Sequence, residues 1–143
     1  MAATLNAAAR ALIESGPLAH LVTIGDDGSA QVSVVWMGLD DDELVAGHLD
    51  GRQRKLANIR RDPRVAVSFE SDVANSMGLR NWMVVHGRGR ITEGGAPELL
   101  GRLAQTYIGP GTEFPPMPDP PPGFVCRISV ERIGGSGPWM EPA

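Results

Sequence analysis

Residues 18–48 read LAHLVTIGDDGSAQVSVVWMGLDDDELVAGH, and three runs of strand-forming residues lie within them. Apolar and β-branched residues dominate 18–24, 31–37 and 43–48, and turn-forming residues separate the runs. Asp26-Asp27-Gly28 is typical of a hairpin turn, and residues 40–42 (DDD) make a second turn. Because no helical pattern separates the strands, they are predicted to pair antiparallel rather than as βαβ units.

The flanking sequence extends this pattern in both directions. We predict further strands at 65–70, 82–92 and 124–133, with a bulge or bend at Gly87 and Gly89. Helices are predicted at 6–15, in the segment between Asp50 as N-cap and Pro63 as terminator, and at 97–108. Residues 72–80 are predicted to be a loop. Six strands and two or three short helices predict a mainly β protein, a small antiparallel barrel.

The length of 143 residues predicts a single domain spanning 1–143. Residues 109–123 hold seven of the twelve prolines and are predicted to be an insert without regular structure. The amino terminus carries charges and has no apolar core segment, which argues against a signal peptide or membrane span and predicts a cytoplasmic protein.

Cysteine usage excludes several kinds of site. Cys126 is the only cysteine, so one chain can form neither an internal disulfide nor a cysteine-rich metal centre. It lies in an apolar strand pattern, where a small buried side chain is the simplest interpretation. Metal-ligand spacing is absent elsewhere, and no metal site is predicted.

A basic cluster stands out on an acidic background. Six of the thirteen Lys and Arg residues lie between Arg52 and Arg64, although the formal net charge is -4 and the pI about 5.3. Lys55, within the cluster, is the only lysine of the chain. A local cationic segment on an anionic chain can hold one specific anion while repelling polyanions. Two interpretations stay open: a site for a phosphate-bearing cofactor, and a solvated basic face of a helix.

Helical spacing divides this cluster into two parts. Lys55 and Asn58 are three residues apart and share a face with Arg52, so these side chains are expected to project into a groove while Leu56 and Ile59 pack on the barrel. A lysine charge, an arginine fork and an uncharged amide donor suit a phosphate or a short anionic tail. A structural role at the C-terminal end of the helix is expected for Arg60, Arg61 and Arg64.

No constellation of catalytic side chains is evident. His20, His48 and His86 are far apart in the sequence, and each is predicted to lie inside or at the end of a strand. His48 is the most informative of them because it directly precedes the basic segment. The GRGR sequence at 87–90 lacks the lysine of a nucleotide-binding loop and does not open a helix. If the protein is an enzyme, its reactive chemistry is expected to come from a bound cofactor.

Two longer runs resemble a known family. Residues 20–47 (HLVTIGDDGSAQVSVVWMGLDDDELVAG) and 51–70 (GRQRKLANIRRDPRVAVSFE) are similar to the flavin and deazaflavin oxidoreductases of the pyridoxamine 5'-phosphate oxidase-like split-barrel superfamily. Within it they most resemble the F420-dependent actinobacterial branch. The shared features are the Asp-Gly hairpin turn, a strand ending in Val-Trp, the pattern K-x-x-N-[IL]-x-x-D-P-R and the GGSGPW tail. The resemblance covers residues 15–93 and, less closely, 124–139.

This resemblance implies an FMN-binding type of split β-barrel, usually a homodimer with two cofactor sites at the subunit interface. It implies that Lys55 and Asn58 contact the phosphate side of the cofactor. It also implies that Val34, Val35 and Trp36 lie along the ring system, with His48 and Arg54 nearby. Arg52, taken from the helix face described above, completes the set of cofactor-binding candidates. Members of this family generally carry no essential acid or base, and hydride would pass between C5 of the deazaflavin and a substrate stacked over its face.

Three departures from the family pattern concern the site. Val34 stands where a proline is common, and His48 stands where threonine or serine is common. The insert at 109–123 is unusual in length and could fold over the site.

The resemblance predicts an F420-dependent oxidoreductase that transfers hydride between reduced deazaflavin and a small conjugated or unsaturated substrate. Two alternatives stay open: an enzyme of the same fold that uses FMN, and a non-catalytic flavin- or tetrapyrrole-binding protein in which His48 and His86 could ligate haem iron. The arginines beyond Lys55 favour F420, because its long anionic tail could lie along them. Nucleic acid and membrane partners are not expected, since one short cluster neutralises few phosphates and no aromatic residue interleaves it.

Overall fold

Seven antiparallel strands form one sheet in the computed structural model, which describes residues 3–142. The strands are β1 (Ala19–Ile24), β2 (Ala30–Val35), β3 (Gly38–Asp40), β4 (Glu43–His48), β5 (Arg64–Ala74), β6 (Arg80–Glu93) and β7 (Phe124–Ser136). The helices are α1 (Ala7–Glu14), α2 (Arg54–Arg61) and α3 (Ala96–Tyr107), followed by a 3-10 turn at Pro138–Met140. The predicted mainly β class with short helices is confirmed. No helix among the described residues is both long and apolar enough to cross a membrane.

The strand order makes the sheet curl into a barrel. The order is β2-β1-β5-β6-β7-β4-β3, so β2 and β3 are the two edges. Yet β2 ends at Val35 and β3 begins at Gly38, and only Trp36 and Met37 separate them. Two residues span a short distance, so the opposite edges of the sheet must meet. The predicted split barrel is therefore confirmed, and the junction of β2 and β3 marks its seam.

The barrel interior is filled by large apolar side chains from most strands. Leu21, Leu44, Phe69 and Met83 are completely buried, as expected for the inward positions of alternating strands. Helix α1 closes one side of this core with Ala9, Leu12 and Ile13, which share one face. Asn6 caps this helix, since its Oδ1 accepts from the Ala9 amide at 2.9 Å.

Two strand predictions need correction. The segment 72–80 is not simply a loop, because β5 runs to Ala74, β6 begins at Arg80, and a turn closed by Asn75 joins them. The short strand β3 was missed because three residues next to an acidic turn carry no readable alternation. The predicted bulge in the long strand is confirmed, since the β6–β7 register shifts between His86 and Gly87.

The start of α2 also differs from the prediction. Asp50 does not cap the helix, which begins after Gln53. Asp50 Oδ1 instead accepts from the Arg52 amide at 2.9 Å, and its carboxylate pairs with the Arg52 guanidinium. A helix that begins three residues later leaves Arg52 in the preceding turn. The predicted end is right: Asp62, ahead of Pro63, has left helical geometry.

The proline-rich insert lacks helix and strand, as predicted, but it is anchored at both ends. At its start, Gln105 donates to the Thr112 carbonyl at 2.8 Å and accepts from the Gly111 amide at 2.8 Å. At its end, the Gly94 amide donates to the Gly123 carbonyl at 2.7 Å, and the Ala96 amide donates to Pro122 at 3.0 Å. The insert is thus fixed to α3 rather than free in solvent.

Candidate functional site

A pocket of about 390 Å³ lies at the seam of the barrel. It is built from the end of β2, the end of β4, the turn leading into α2, helix α3 and the proline-rich insert. Five of the sequence-predicted residues line it: Val34, Val35, Trp36, His48 and Lys55. Residues as far apart in sequence as Val34 and Phe114 are brought together at this seam, where the two sheet edges meet.

Lys55 gives the pocket a half-buried positive charge. Within residues 3–142 its ammonium group forms no ion pair, and burial lowers the pKa of Lys55 below its usual value of 10.5. The other basic residues of the same segment have carboxylate or carbonyl partners or remain in solvent. A lysine without a counter-ion in a pocket is a natural contact for an anionic ligand.

His48 presents an unsatisfied polar atom at the same place. Its side chain is almost completely buried, and its Nε2 has no hydrogen-bond partner among the described residues. Burial, reinforced by the positive charge of Lys55, lowers the pKa of His48 to about 4, although the nearby Gln53 side chain raises it slightly. The imidazole is therefore neutral near pH 7. Gln53 Oε1 is likewise buried without a hydrogen-bond partner among the described residues, and it lies near enough to His48 to affect its pKa, so the two polar groups form one polar spot in the pocket lining.

Aromatic side chains form the apolar part of the pocket. Trp36 stacks on Tyr107, with ring centroids 5.3 Å apart and planes 11° apart, and it meets Phe114 at 5.1 Å and 51°. The Tyr107 hydroxyl donates to the Pro17 carbonyl at 2.7 Å and accepts from the Met37 amide at 3.1 Å. This network fixes the β2–β3 junction and holds the Trp36 ring in place.

Asn58 does not project into the pocket as the sequence predicted. It is 2% exposed, and its amide donates to Thr23 Oγ1 at 3.0 Å and to Gln31 Oε1 at 2.8 Å. Its Oδ1 accepts from Arg61 at 3.2 Å. Both amide hydrogens are thus used to fasten α2 to the β1–β2 hairpin. Asn58 positions the helix that carries Lys55.

Arg52 and Arg54 also lie outside the pocket. Arg52 is 91% exposed in its side chain and forms a fork with the Asp50 carboxylate, with N–O distances of 3.1 and 3.3 Å. Arg54 is exposed at the start of α2, near the β1–β2 turn. There the pKa of Asp27 is lowered mainly by hydrogen bonds from Ser29, with a small contribution from the charge of Arg54. The predicted common face fails because α2 begins later than expected.

The late basic residues have the structural contacts expected of them. Arg61 donates to the Ile24 carbonyl at 2.6 Å, and Arg64 pairs with Asp62 at 2.7 Å. The Arg60 guanidinium lies 5.3 Å from the ring centroid of Phe124. These contacts tie α2 to neighbouring strands and leave Lys55 as its cation in the pocket.

Several pocket residues had no signal in the sequence. Gln53 lies between Arg52 and Lys55 in the basic segment, but a glutamine there carries no signal of its own. Leu100 and Phe114 line the pocket from α3 and the insert, which periodicity and spacing cannot place near it. Phe114 is an aromatic residue within a proline-rich run, which is weak evidence for a site. Only the packing of α3 and the insert against the seam reveals these two residues.

The remaining reactive groups are few. Cys126 is fully buried, and burial raises the pKa of its thiol to about 12, so it is a protonated core residue. Among residues 3–142, no group of three or more His, Cys, Asp or Glu side chains could hold a metal ion. In the pocket itself, the titratable side chains are those of His48, Asp50 and Lys55.

Comparison with known proteins places this geometry in a family. The sequence profile of the pyridoxamine 5'-phosphate oxidase family matches residues 5–136. The chain belongs to this family. Its fold is that of the flavin- and deazaflavin-type oxidoreductases. No curated protein sequence matches the chain.

Solved structures of the pyridoxamine 5'-phosphate oxidase fold resemble the chain over most of its length. A protein described as an F420 reductase is 25% identical with a TM-score of 0.70, covering 87% of this chain and 94% of that one. The conserved hypothetical protein Rv2991 from Mycobacterium tuberculosis is 27% identical with a TM-score of 0.73, covering 94% and 85%. HupZ from Group A Streptococcus, at 22% identity and a TM-score of 0.63, covers 92% and 94% and shares the fold.

Proposed function

We propose that this protein is an F420-dependent oxidoreductase that transfers hydride between reduced deazaflavin and a small conjugated or unsaturated substrate. The observation that carries the proposal is the convergence of Lys55, His48 and Trp36 on one pocket at the barrel seam. The likeness to the F420 reductase structure supports the choice of cofactor. FMN in the same pocket is the close alternative.

The pocket residues fit a ligand that is anionic at one end and flat and apolar elsewhere. Among the described residues, Lys55 has no ion-pair partner, and the buried Nε2 of His48 and Oε1 of Gln53 have no hydrogen-bond partner. Val34 and Trp36 supply apolar surface for a ring system. Lys55 would bind a phosphate, and His48 and Gln53 would hydrogen-bond polar atoms at the edge of the ring.

The arginines outside the pocket have a role in this proposal only for a long cofactor. Arg52, in the turn before α2, and Arg54, at the start of the helix, do not line the pocket. The anionic tail of F420 would extend along them, whereas FMN would not reach them. Asn58 would act indirectly, through the position of α2.

The protein itself contributes to the reaction by positioning the cofactor and the substrate and by excluding water. A deazaflavin supplies the hydride at C5 when bound. His48 is neutral near pH 7, and Asp50 is held as a carboxylate by Arg52, which lowers its pKa. Neither is poised as a general acid at neutral pH. The chain would bind the cofactor, orient the substrate over it and shield the site.

A titration of the cofactor-free protein with F420, FMN and haem tests this function. We expect Lys55→Ala to raise the Kd for F420 by about 5- to 150-fold, equivalent to about 1–3 kcal/mol, because it removes a charge-assisted hydrogen bond. Isothermal titration calorimetry gives the Kd without relying on turnover.

Two controls accompany this titration. Lys55→Arg keeps the charge and should retain most of the affinity. Arg88→Ala removes an equal charge on β6, outside the pocket, and should leave the Kd unchanged. An unchanged Kd in Lys55→Ala for both F420 and FMN would contradict the assignment of Lys55 to the phosphate.

Tetrapyrrole binding is a second candidate that one observation favours. Nε2 of His48 is unpartnered and the imidazole is neutral near pH 7, as iron ligation requires. His86, the other suggested ligand, does not line the pocket. A haem absorption spectrum that changes with His48→Ala would support this candidate over a flavin-type cofactor.

A further inference from the structure

The proline-rich insert holds one aromatic side chain against the candidate pocket. Gln105 fixes residues 111 and 112 to α3 with two hydrogen bonds, and Phe114 follows directly. The insert lies so close to α3 that a Cβ on Gly101 would stand 3.0 Å from the Phe114 carbonyl oxygen. A glycine in α3 permits this approach, and Phe114 is placed by the fold before any ligand arrives.

Phe114 adds to the apolar lining of the pocket and contacts Trp36. The polar lining comes from the end of β4, the turn before α2 and α2 itself, through His48, Gln53 and Lys55. The apolar lining comes from the end of β2, from α3 and from the insert, through residues such as Leu100 and Phe114. Polar and apolar lining residues thus come from different elements, and Phe114 is the aromatic residue that the insert contributes.

The tilt between the two aromatic rings indicates which molecules suit this part. Trp36 and Phe114 meet at 51°, with centroids 5.1 Å apart, so they form a wedge rather than a parallel stack. Flat aromatic or conjugated molecules can lie against one ring and meet the edge of the other, whereas a saturated molecule gains only the burial of apolar area and not these aromatic contacts.

We propose that Phe114 is a specificity-determining residue, forming with Trp36 an aromatic wall that selects flat, apolar substrates. The proposal rests on the proposed function, in which the polar lining and Val34 hold the cofactor and the Trp36 ring borders both cofactor and substrate. In this proposal the proline-rich insert, which is hydrogen-bonded to α3 and not to the barrel core, determines which substrates bind.

Equilibrium dialysis with two probe alcohols tests this wall. Naphthol is flat and aromatic, adamantanol is globular and saturated, and each carries one hydroxyl group. Binding is measured both to the cofactor-free protein and to protein saturated with F420 or FMN. We expect the wild type to prefer naphthol, and Phe114→Ala to weaken naphthol binding by about tenfold with little effect on adamantanol.

Three further variants distinguish a specific effect of the aromatic wall on binding from a general disturbance of the fold. Phe114→Leu keeps apolar volume but should lose the preference for the flat probe. Gln105→Ala should weaken naphthol binding as well, because it releases the anchor of the insert. Met117→Ala changes an exposed residue of the same insert that does not line the pocket, and should alter neither probe. Circular dichroism establishes that each variant is folded.

The outcomes distinguish this proposal from the proposed function. The role of Phe114 is supported if Phe114→Ala loses naphthol binding while its Kd values for the cofactors stay within about twofold of the wild type. Failure of both F420 and FMN to bind would refute the proposed function. The role of Phe114 would still be tested by naphthol binding to the cofactor-free protein. Three results would refute the proposed role of Phe114. They are no naphthol binding by the wild type, equal naphthol affinity in the wild type and Phe114→Ala, and displacement of naphthol by the cofactor.

Discussion

At the scale of single residues, one buried imidazole couples the pocket to the stability of the protein. His48 is 5% exposed, and its pKa is lowered to about 4 by burial and by the charge of Lys55. In an unfolded chain its pKa would return to about 6.5. Between these values the unfolded state binds a proton that the folded state does not, so the folded state loses stability as the pH falls.

We therefore expect the free energy of unfolding to decrease by about 3 kcal/mol as the pH falls from 6.5 to 4, and to be independent of His48 above that window. Urea unfolding followed by circular dichroism measures it. The variant His48→Asn cannot titrate and should show a flatter profile in this window. The Asp62 carboxyl, with a pKa of about 2, titrates below the window in both proteins. Parallel stability profiles for the wild type and His48→Asn would contradict the assignment of this pH dependence to His48.

The candidate site was predicted from sequence where local order was enough. The family resemblance indicated Val34–Trp36, His48 and Lys55, the basic segment also indicated Lys55, and all five line the pocket. Asn58 was placed wrongly because spacing shows which residues share a helix face but not which face packs on the β1–β2 hairpin. Phe114 was missed because its place depends on the long-range packing of the insert.

At the scale of elements, the β6–β7 ladder governs the shape of the barrel. Its register shifts at Gly87, where a Cβ would collide with the Ser129 carbonyl oxygen of β7. The two strands are the longest in the sheet, and β7 also pairs with β4, which ends at the pocket. Glycine at the bulge lets the paired backbones approach closely enough to bend.

Gly87→Ala should destabilise the protein by about 1–3 kcal/mol, because a backbone oxygen cannot move aside as a flexible side chain can. Gly134→Ala is the matched control, since a Cβ there meets nothing within 4 Å on the same pair of strands. Chemical denaturation of both variants measures the difference. Equal stabilities would show that the bulge tolerates a side chain.

The strands and turns themselves were predicted well because alternation and turn residues are local signals. β3 and the β5–β6 hairpin were not, for opposite reasons. β3 is too short to alternate, whereas the hairpin extends beyond the core and its outer residues are exposed. The apolar residues at the tip of this hairpin, Val73 and Leu79, are exposed, so they do not indicate which face of the strands is buried.

At the scale of the whole molecule, apolar side chains are exposed along an edge of the sheet. Val32 and Val34 on edge strand β2 are 61% and 55% exposed, and Leu18 beside them is 54% exposed. An edge strand with outward apolar residues is a template for association. Because Val34 also lines the pocket, a second copy at this edge would cover the site. We therefore propose a homodimer with the pocket at its interface.

We expect the wild type to sediment as a dimer and Val32→Asp to shift it toward monomer, because a carboxylate in an apolar interface costs its desolvation. Analytical ultracentrifugation measures the change. Ile108→Asp is the control, since Ile108 is similarly exposed but lies at the end of α3. A wild-type monomer that binds cofactor tightly would refute the dimer.

The strand order has a consequence for how the protein is made. β7 lies between β6 and β4 in the sheet, although it is the last strand along the chain. During synthesis β4 has no partner on that side until Phe124–Ser136 leaves the ribosome. The pocket residues, all translated earlier, cannot be brought together before then. A nascent chain therefore completes its binding site only after β7 has been made and can pair with β4.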